Sequence, residues 1–358
     1  MSDSDRPSPY EGLPRASFWR TGVQAYPAEA IADLYRPKFP VTPSTKIATA
    51  GSCFAQRITR NLRERGFGII DREPAPPGLT PEAAASFGYG LYSARYGNIY
   101  TARHLRQLVA EAFRAFRPAD AIWRRGDRYH DAMRPSVEPL GLLSAEAVSD
   151  HRQYHLRQVR QMILTAEVFL FTMGMTEAWE HAPSGTVYPT APGVISGCYD
   201  PAIHQFKNFR FQEIYADLRA FFKFAKRHNP GLKIILTVSP VPITATATGH
   251  HVLSASIYSK SVLRAVAGQL QDEEPDIDYF PSYEIVMKTL YEGRFFEENA
   301  RTVRPEGVAA AMDAFLPAND GKDGQRSPPR AVQKKTGSFV RTVEDVQCED
   351  VLLDKYAQ

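Results

Sequence analysis

Two short runs in this chain, Val168-Phe169-Leu170-Phe171-Thr172 and Ile234-Ile235-Leu236-Thr237-Val238, are apolar or β-branched at every position instead of at every second one. Successive side chains of a strand point to opposite faces, so a run without alternation has to be covered on both. A parallel sheet between helices meets that condition, and the chain supplies the helices. From about Thr101 to Phe116, Leu105, Leu108, Val109, Ala112, Phe113 and Phe116 share one helical face, with Thr101 at the N-cap position. Similar helices are expected over Ala145–Thr165, from Phe211 to Ala225, over Leu253–Leu270, and from Pro305 through Val308, Met312 and Phe315. Further strands are expected at Lys46–Ala50, Phe67–Asp71 and Asp276–Phe280. Five strands alternating with helices predict an α/β fold, with a doubly wound, mainly parallel five-stranded sheet.

The expected domain occupies residues 45–316. Residues 1–44 combine many prolines with Tyr10, Phe18, Trp19, Tyr26, Tyr35 and Phe39, which suggests an extended arm whose aromatics plug into the domain. Residues 317–358 turn to Gly, Lys, Asp, Pro and Arg and read as a largely disordered tail. The 43% apolar content is ample for a core, whereas a net charge of +3, without a basic and aromatic platform, argues against a nucleic-acid partner. No stretch of about 18 apolar residues exists, so no membrane span is expected. The first residues lack the pattern of a secretory signal, and Cys53, Cys198 and Cys348 form no redox or zinc motif. A cytoplasmic protein without cofactor or metal is expected.

Lys46 to Ala55 reads as a strand, a tight turn at Gly51 and the start of a helix, with Phe54, Ile58 and Leu62 on one stripe. A small nucleophile in the first helical turn stands beside backbone amides able to stabilise negative charge on a substrate oxygen. Ser52 fits that role, and it is equally suited to be a simple N-cap. Cys53 is the alternative nucleophile, since a helix start lowers a thiol pKa. The turn at Gly174 to Glu177 follows a central strand, and ligands collect at the carboxyl ends of such strands, so both turns should share a rim. Gly97 and Gly174 are candidate amide donors. A histidine pair, His250 and His251, follows the fourth strand, and the Gly- and Pro-rich loop 181–208, with His204, is a candidate cover. Lys260 and Arg264, four residues apart, read as a solvated helix face. The nucleophile elbow Gly-x-Ser-x-Gly is absent, because Ala50 and Phe54 flank the motif.

Gly51-Ser52-Cys53-Phe54-Ala55 resembles the name-giving motif of the GSCFA domain family, which looks like a divergent branch of the SGNH hydrolase-like (GDSL) proteins. The resemblance extends to Tyr96-Gly97-Asn98-Ile99-Tyr100, Thr172 to Trp179, Val238-Ser239-Pro240-Val241-Pro242, Tyr258 to Leu263 and Tyr279 to Ile285. It implies a three-layer α/β/α sandwich with Ser52 as nucleophile. It also implies an oxyanion and binding set around Cys53, Gly97, Asn98, Gly174 and Thr176. Two departures stand out. Thr176 replaces the asparagine of the usual Gly-x-Asn-Asp block, and Asn299-Ala300-Arg301-Thr302 stands where Asp-x-x-His is expected. A relocated base is then His251, or His204, oriented by Glu177 or Glu284.

The resulting expectation is a serine esterase or O-acyltransferase acting on an acylated carbohydrate or related hydroxyl compound through an acyl-enzyme at Ser52. The alternative is a catalytically degenerate binding or scaffold protein. Metal-dependent catalysis ranks last, because His250 and His251 are adjacent and do not easily face one ion.

Overall fold

The structure, a computed structural model, describes residues 9–18, 21–22, 34–288, 295, 297 and 302–319. In chain order its elements are β1 (Ile47–Gly51), α1 (Cys53–Glu64), α2 (Pro81–Ser86), α3 (Ala102–Ala112), β2 (Ile122–Arg125), β3 (Arg128–Asp131), α4 (Ala145–Thr165), β4 (Val168–Met173), β5 (Glu177–His181), β6 (Thr186–Tyr188), β7 (His204–Asn208), α5 (Phe211–His228), β8 (Lys233–Val238), α6 (Val252–Glu273), β9 (Ile277–Tyr279), α7 (Ser282–Lys288) and α8 (Pro305–Asn319). Thr101 caps α3 as its sequence suggests, its Oγ1 accepting from the His104 amide at 3.2 Å.

Four strands lie parallel in the order β1-β4-β8-β9, with Ile47 opposite Val168, Phe169 opposite Ile234 and Leu236 opposite Tyr279. The non-alternating runs are explained by the two cores. Ala48, Ala50, Phe169, Phe171, Ile234 and Leu236 pack with residues of α3, α4, α5 and α6, among them Leu105, Val159, Phe221 and Leu263. Ile47, Val168, Leu170 and Ile235 pack instead with Phe54, Ile58 and Leu62 of α1 and with Met312 and Phe315 of α8. Each buried Ile, Leu, Val, Phe or Met among these contributes roughly 1.5–3 kcal/mol. Of the arm, Tyr35 and Phe39 are buried in the second core, and the Tyr35 hydroxyl donates to Asp278 Oδ2 at 2.9 Å. Tyr10 and Phe18 are exposed instead of plugging into the domain, Trp19 and Tyr26 lie outside the described residues, and of the expected tail 317–358 residues 317–319 continue α8 while the remainder lies outside the described residues.

The sheet has four strands where five were expected. Phe67 to Asp71 makes a single bridge, Ile47 to Ile69, because the next rung is diverted: Thr49 bonds Ser93 and Tyr96, and the Arg72 amide donates to Ser93 O at 2.9 Å. The outer edge of β1 is nevertheless closed. Ile47 N donates to Gly68 O and Ile47 O accepts from Ile70 N. Thr49 N donates to Ser93 Oγ, Thr49 O accepts from the Tyr96 hydroxyl, and Gly51 O accepts from Ile99 N. Residues 91–100, buried throughout without regular secondary structure, thus take the place of a strand.

A second correction concerns residues 181–208. In place of a long loop, β5, β6 and β7 form a three-stranded antiparallel sheet in the order β6-β5-β7. The polar stretch after α3 forms the β2–β3 hairpin, and its far end is fastened by buried charges. Arg152 of α4 bridges Asp131 at 2.8 Å and also Glu111, while Arg134 bonds Asp131 at 2.8 Å and the Arg95 carbonyl at 3.0 Å. Glu73 accepts from the Arg95 amide and from His155 Nδ1, both at 2.7 Å. Burial alone would raise the Glu73 carboxyl, but His155, Arg134 and the Arg95 amide hold it at about 2. Burial likewise opposes Arg152 and Arg134 at Asp131, which also stays at about 2.

Gly51 adopts φ +142°, and a Cβ there would lie 2.3 Å from the Thr172 carbonyl oxygen. Gly51→Ala is therefore expected to cost at least about 3 kcal/mol in urea unfolding. Arg152→Met leaves buried Asp131 and Glu111 facing each other and should cost about 3–5 kcal/mol by the same measurement. Because Glu73 and Asp131 titrate lower when folded than the 4.5 and 3.8 of free carboxyls, their stabilisation is complete above those values and is lost as pH falls toward 2. Wild-type unfolding free energy should drop steeply over that window, and less steeply in Glu73→Gln.

Candidate functional site

β1 ends at Gly51 and β4 runs into Gly174, so the two turns meet at the carboxyl edge of the sheet. The Ser52 backbone is fixed on both sides, its amide donating to Thr172 O at 3.1 Å and its carbonyl accepting from Ala55 N at 2.8 Å. Gly174 approaches so closely that a Cβ there would lie 3.0 Å from Ser52 Cβ and 3.0 Å from Tyr100 Cδ1. Ser52 occupies the N-cap position of α1 yet makes no capping bond. Its Oγ is buried and has no hydrogen-bond partner among the described residues. Leaving a buried hydroxyl unsatisfied costs about 1–3 kcal/mol, so a purely structural serine would be expected to turn toward an amide of the first helical turn.

Beneath the serine lies a buried polar group. The Tyr92 hydroxyl is 3.1 Å from Ser52 O and 2.5 Å from Asn98 Oδ1, and Gln56 Nε2 donates to both Tyr92 and Asn98 at 3.1 Å. Asn98 Oδ1 accepts both bonds, which fixes the orientation of its amide. Gly97 precedes Asn98 in the same segment, and Cys53 is buried as the first residue of α1.

On the other side, α6 clamps the turn after β4. Lys260 Nζ donates to Gly174 O, Ser259 Oγ accepts from Thr176 N at 2.9 Å, and Thr176 Oγ1 donates to Asn208 Oδ1 at 2.7 Å. Lys260 is only 3% exposed, which corrects the reading of Lys260 and Arg264 as a solvated face. The Gly174 amide donates to Tyr100 O at 3.0 Å and so is already engaged inside the fold, unlike the oxyanion donor expected from sequence. Glu177 is buried at the start of β5 and accepts from Thr246 Oγ1 at 2.9 Å.

The expected bases make other contacts. His251 is the exposed N-cap of α6, its Nδ1 accepting from Leu253 N at 3.2 Å. His204 is buried on β7, accepts from the Asp200 amide at 3.0 Å and stacks with Tyr199. Neither bonds Ser52 Oγ. Glu284 is taken by Arg264 Nε and by the Tyr279 hydroxyl at 2.8 Å, so it orients no histidine; burial and this carboxylate push the Tyr279 phenol well up. Of the substituted motif, residues 299–301 lie outside the described residues. No cluster of three or more His, Cys, Asp or Glu suited to a metal ion occurs among the described residues.

Gln56, Tyr92 and Ser259 had no role in the sequence reading. A signal for the α6 pair was present. Its core stripe runs through Ala255, Ser256, Ser259, Lys260, Leu263, Val266, Ala267 and Leu270, so Ser259 and Lys260 stand where the helical period places core residues. Polar side chains at such positions need buried partners.

The sequence model of the GSCFA family matches residues 46–315, an interval that takes in the parallel sheet, Ser52, the turn at Gly174, Lys260 and most of α8. No curated protein and no solved structure matches the chain. Among the described residues no helix is long and apolar enough to cross a membrane. With that match spanning most of its length and its motif residues converging on one turn, the chain belongs to the GSCFA family.

Proposed function

We propose that this protein is a serine esterase or O-acyltransferase, acting on an acylated carbohydrate or related hydroxyl compound in a three-layer α/β/α sandwich of the SGNH hydrolase-like kind. The observation that carries the reading is the Ser52 hydroxyl, buried at a helix start, making no capping bond and without a partner among the described residues. Ser52 Oγ attacks the acyl carbon and the ester C–O bond breaks, leaving the acyl group on Ser52; water or a second hydroxyl then takes it off. Lys260, whose Nζ donates to Gly174 O in the turn packed against Ser52, is the assigned base, taking the serine proton and passing it to the departing alkoxide. The Asn98 amide, oriented by Gln56 and Tyr92, and the first-turn amides of α1 are the assigned donors to the oxyanion. Because Ser52 is 2% exposed, the acyl donor reaches it through local opening of the residues above it.

One observation favours a second reading. Among the described residues no histidine bonds Ser52 Oγ, which suits a module that keeps the pocket and binds without turnover.

Labelling with a fluorophosphonate probe, mapped by mass spectrometry, separates the two. Acyl transfer predicts modification at Ser52, none in Ser52→Ala, a rate about 100-fold or more lower in Lys260→Met, and an unchanged rate in His251→Ala. Well-folded wild type that resists the probe would favour the binding module.

A further inference from the structure

The sheet β6-β5-β7 sets its inner face into the first core, through Ala178 of β5 and Val187 of β6. Side chains alternate along a strand, so Glu177, Trp179 and His181 lie on the outer face, and antiparallel pairing sets Asn208, Phe206 and His204 of β7 directly opposite them. A sheet with one covered face ordinarily shows water polar side chains on the other. Here Tyr188 of β6 is covered by Trp123 of the hairpin, but Trp179 and Phe206 are only half-buried, their rings 5.8 Å apart at 64°. Tyr199, 49% exposed, stands edge-on to Trp179 at 5.2 Å and 82°. Three aromatic rings thus cluster at the surface where alternation predicts polar groups.

Donors border these rings. Asn208 is half-buried, and its Oδ1 accepts from Thr176 while its Nδ2 has no partner among the described residues. His204 Nδ1 accepts from the Asp200 amide, so Nε2 carries the hydrogen, and that buried donor meets no acceptor among the described residues. The strand positions of this face hold no lysine, arginine or exposed carboxylate. The face also begins beside the serine. Glu177 follows the Gly174 turn directly, and Trp179, five residues beyond Gly174, lies at most about 18 Å from it.

We propose that this face binds a neutral sugar ring of an oligosaccharide whose acylated unit reaches Ser52; that the same molecule carries the acyl group rests on the acyl-transfer reading above. A sugar ring presents an apolar C–H face and a rim of hydroxyls. Trp179, Phe206 and Tyr199 cover the first. Asn208 Nδ2 donates to the second, as does His204 Nε2 when the Tyr199 ring stacked on His204 at 6.1 Å turns aside. An anionic ligand would find no cation on these strands.

The test is titration of the ¹⁵N-labelled full chain with neutral tetrasaccharides of glucose, N-acetylglucosamine, mannose and xylose, one at a time, following the indole signals of its three tryptophans. Trp179→Phe assigns the signal on the outer face. A saturable shift of that signal is expected with at least one sugar. The dissociation constant should rise about tenfold in Phe206→Ser, rise less in Asn208→Ala, and stay unchanged in Ser52→Ala. Melting curves matching wild type establish that the variants are folded. No saturable shift with any of the four sugars overturns the proposal, as does unchanged binding in both Phe206→Ser and Asn208→Ala. A shift with octanoate and with none of the sugars also overturns it, and makes the face an acyl-chain site. A neutral fluorophosphonate labels Ser52 without touching this face. Labelling without sugar binding therefore sinks the platform alone, and sugar binding without labelling sinks the acyl-transfer reading and leaves a carbohydrate-binding module.

Discussion

The outer edge of β1 is closed by irregular chain instead of a fifth strand, and the site depends on that substitution. A strand would have presented alternating side chains and a regular ladder to Ile47, Thr49 and Gly51. Gly68 and Ile70 satisfy Ile47. Residues 91–100 satisfy the backbone groups of Thr49 and Gly51 with Ser93, Tyr96 and Ile99, and in doing so they carry Tyr92, Asn98 and Tyr100 to the strand end where Ser52 precedes α1. An irregular segment can be buried this completely only because its polar groups are matched one by one.

That segment is held from outside by charge. Arg95 spans Phe87 O and Glu138 while its amide rests on Glu73, and Arg134 reaches its carbonyl from the end of the hairpin insertion. Buried ion pairs contribute little net stability when their desolvation is counted, but a broken one is costly. They are therefore well suited to fixing one register of a segment with no periodicity of its own. The insertion after α3, peripheral in sequence, becomes through Asp131 and Arg134 a structural support of the segment that forms one wall of the site.

The fold was legible where burial is two-sided and periodic. Val168–Met173 and Lys233–Val238 show their cover in an unbroken apolar run, and α3, α4 and α5 show theirs in spacing. The fifth strand failed because Phe67–Asp71 carries strand residues but Ser93 and Tyr96 take the backbone groups of Thr49 and Arg72 that its next rung would use, a tertiary choice that composition does not encode. Residues 186–188 and 204–208 were hidden for the opposite reason, since short strands among glycines and prolines carry too few side chains to show alternation. At the site, Ser52 was legible from the Gly-Ser step at a strand end. Its neighbours Lys260 and Gln56 were not, because a polar residue on an amphipathic helix is ordinarily solvated, and only tertiary packing decides that these two face inward. His251 shows the converse, a histidine placed on the right rim by topology and used to cap a helix.

The pairing of β1 with β4 has a consequence in time. Lys46 and Glu167, joined just ahead of these strands, are 121 residues apart in sequence. No hairpin can bring the two strands together, and such non-local pairing is slow to form. During synthesis at about 5–20 residues per second, β1 waits roughly 6 to 24 seconds for its partner. Over that interval the apolar strand ending at Gly51 lacks its sheet neighbour and has only the segments on either side of it for shelter, so the nascent chain is vulnerable to aggregation at the element that leads into Ser52.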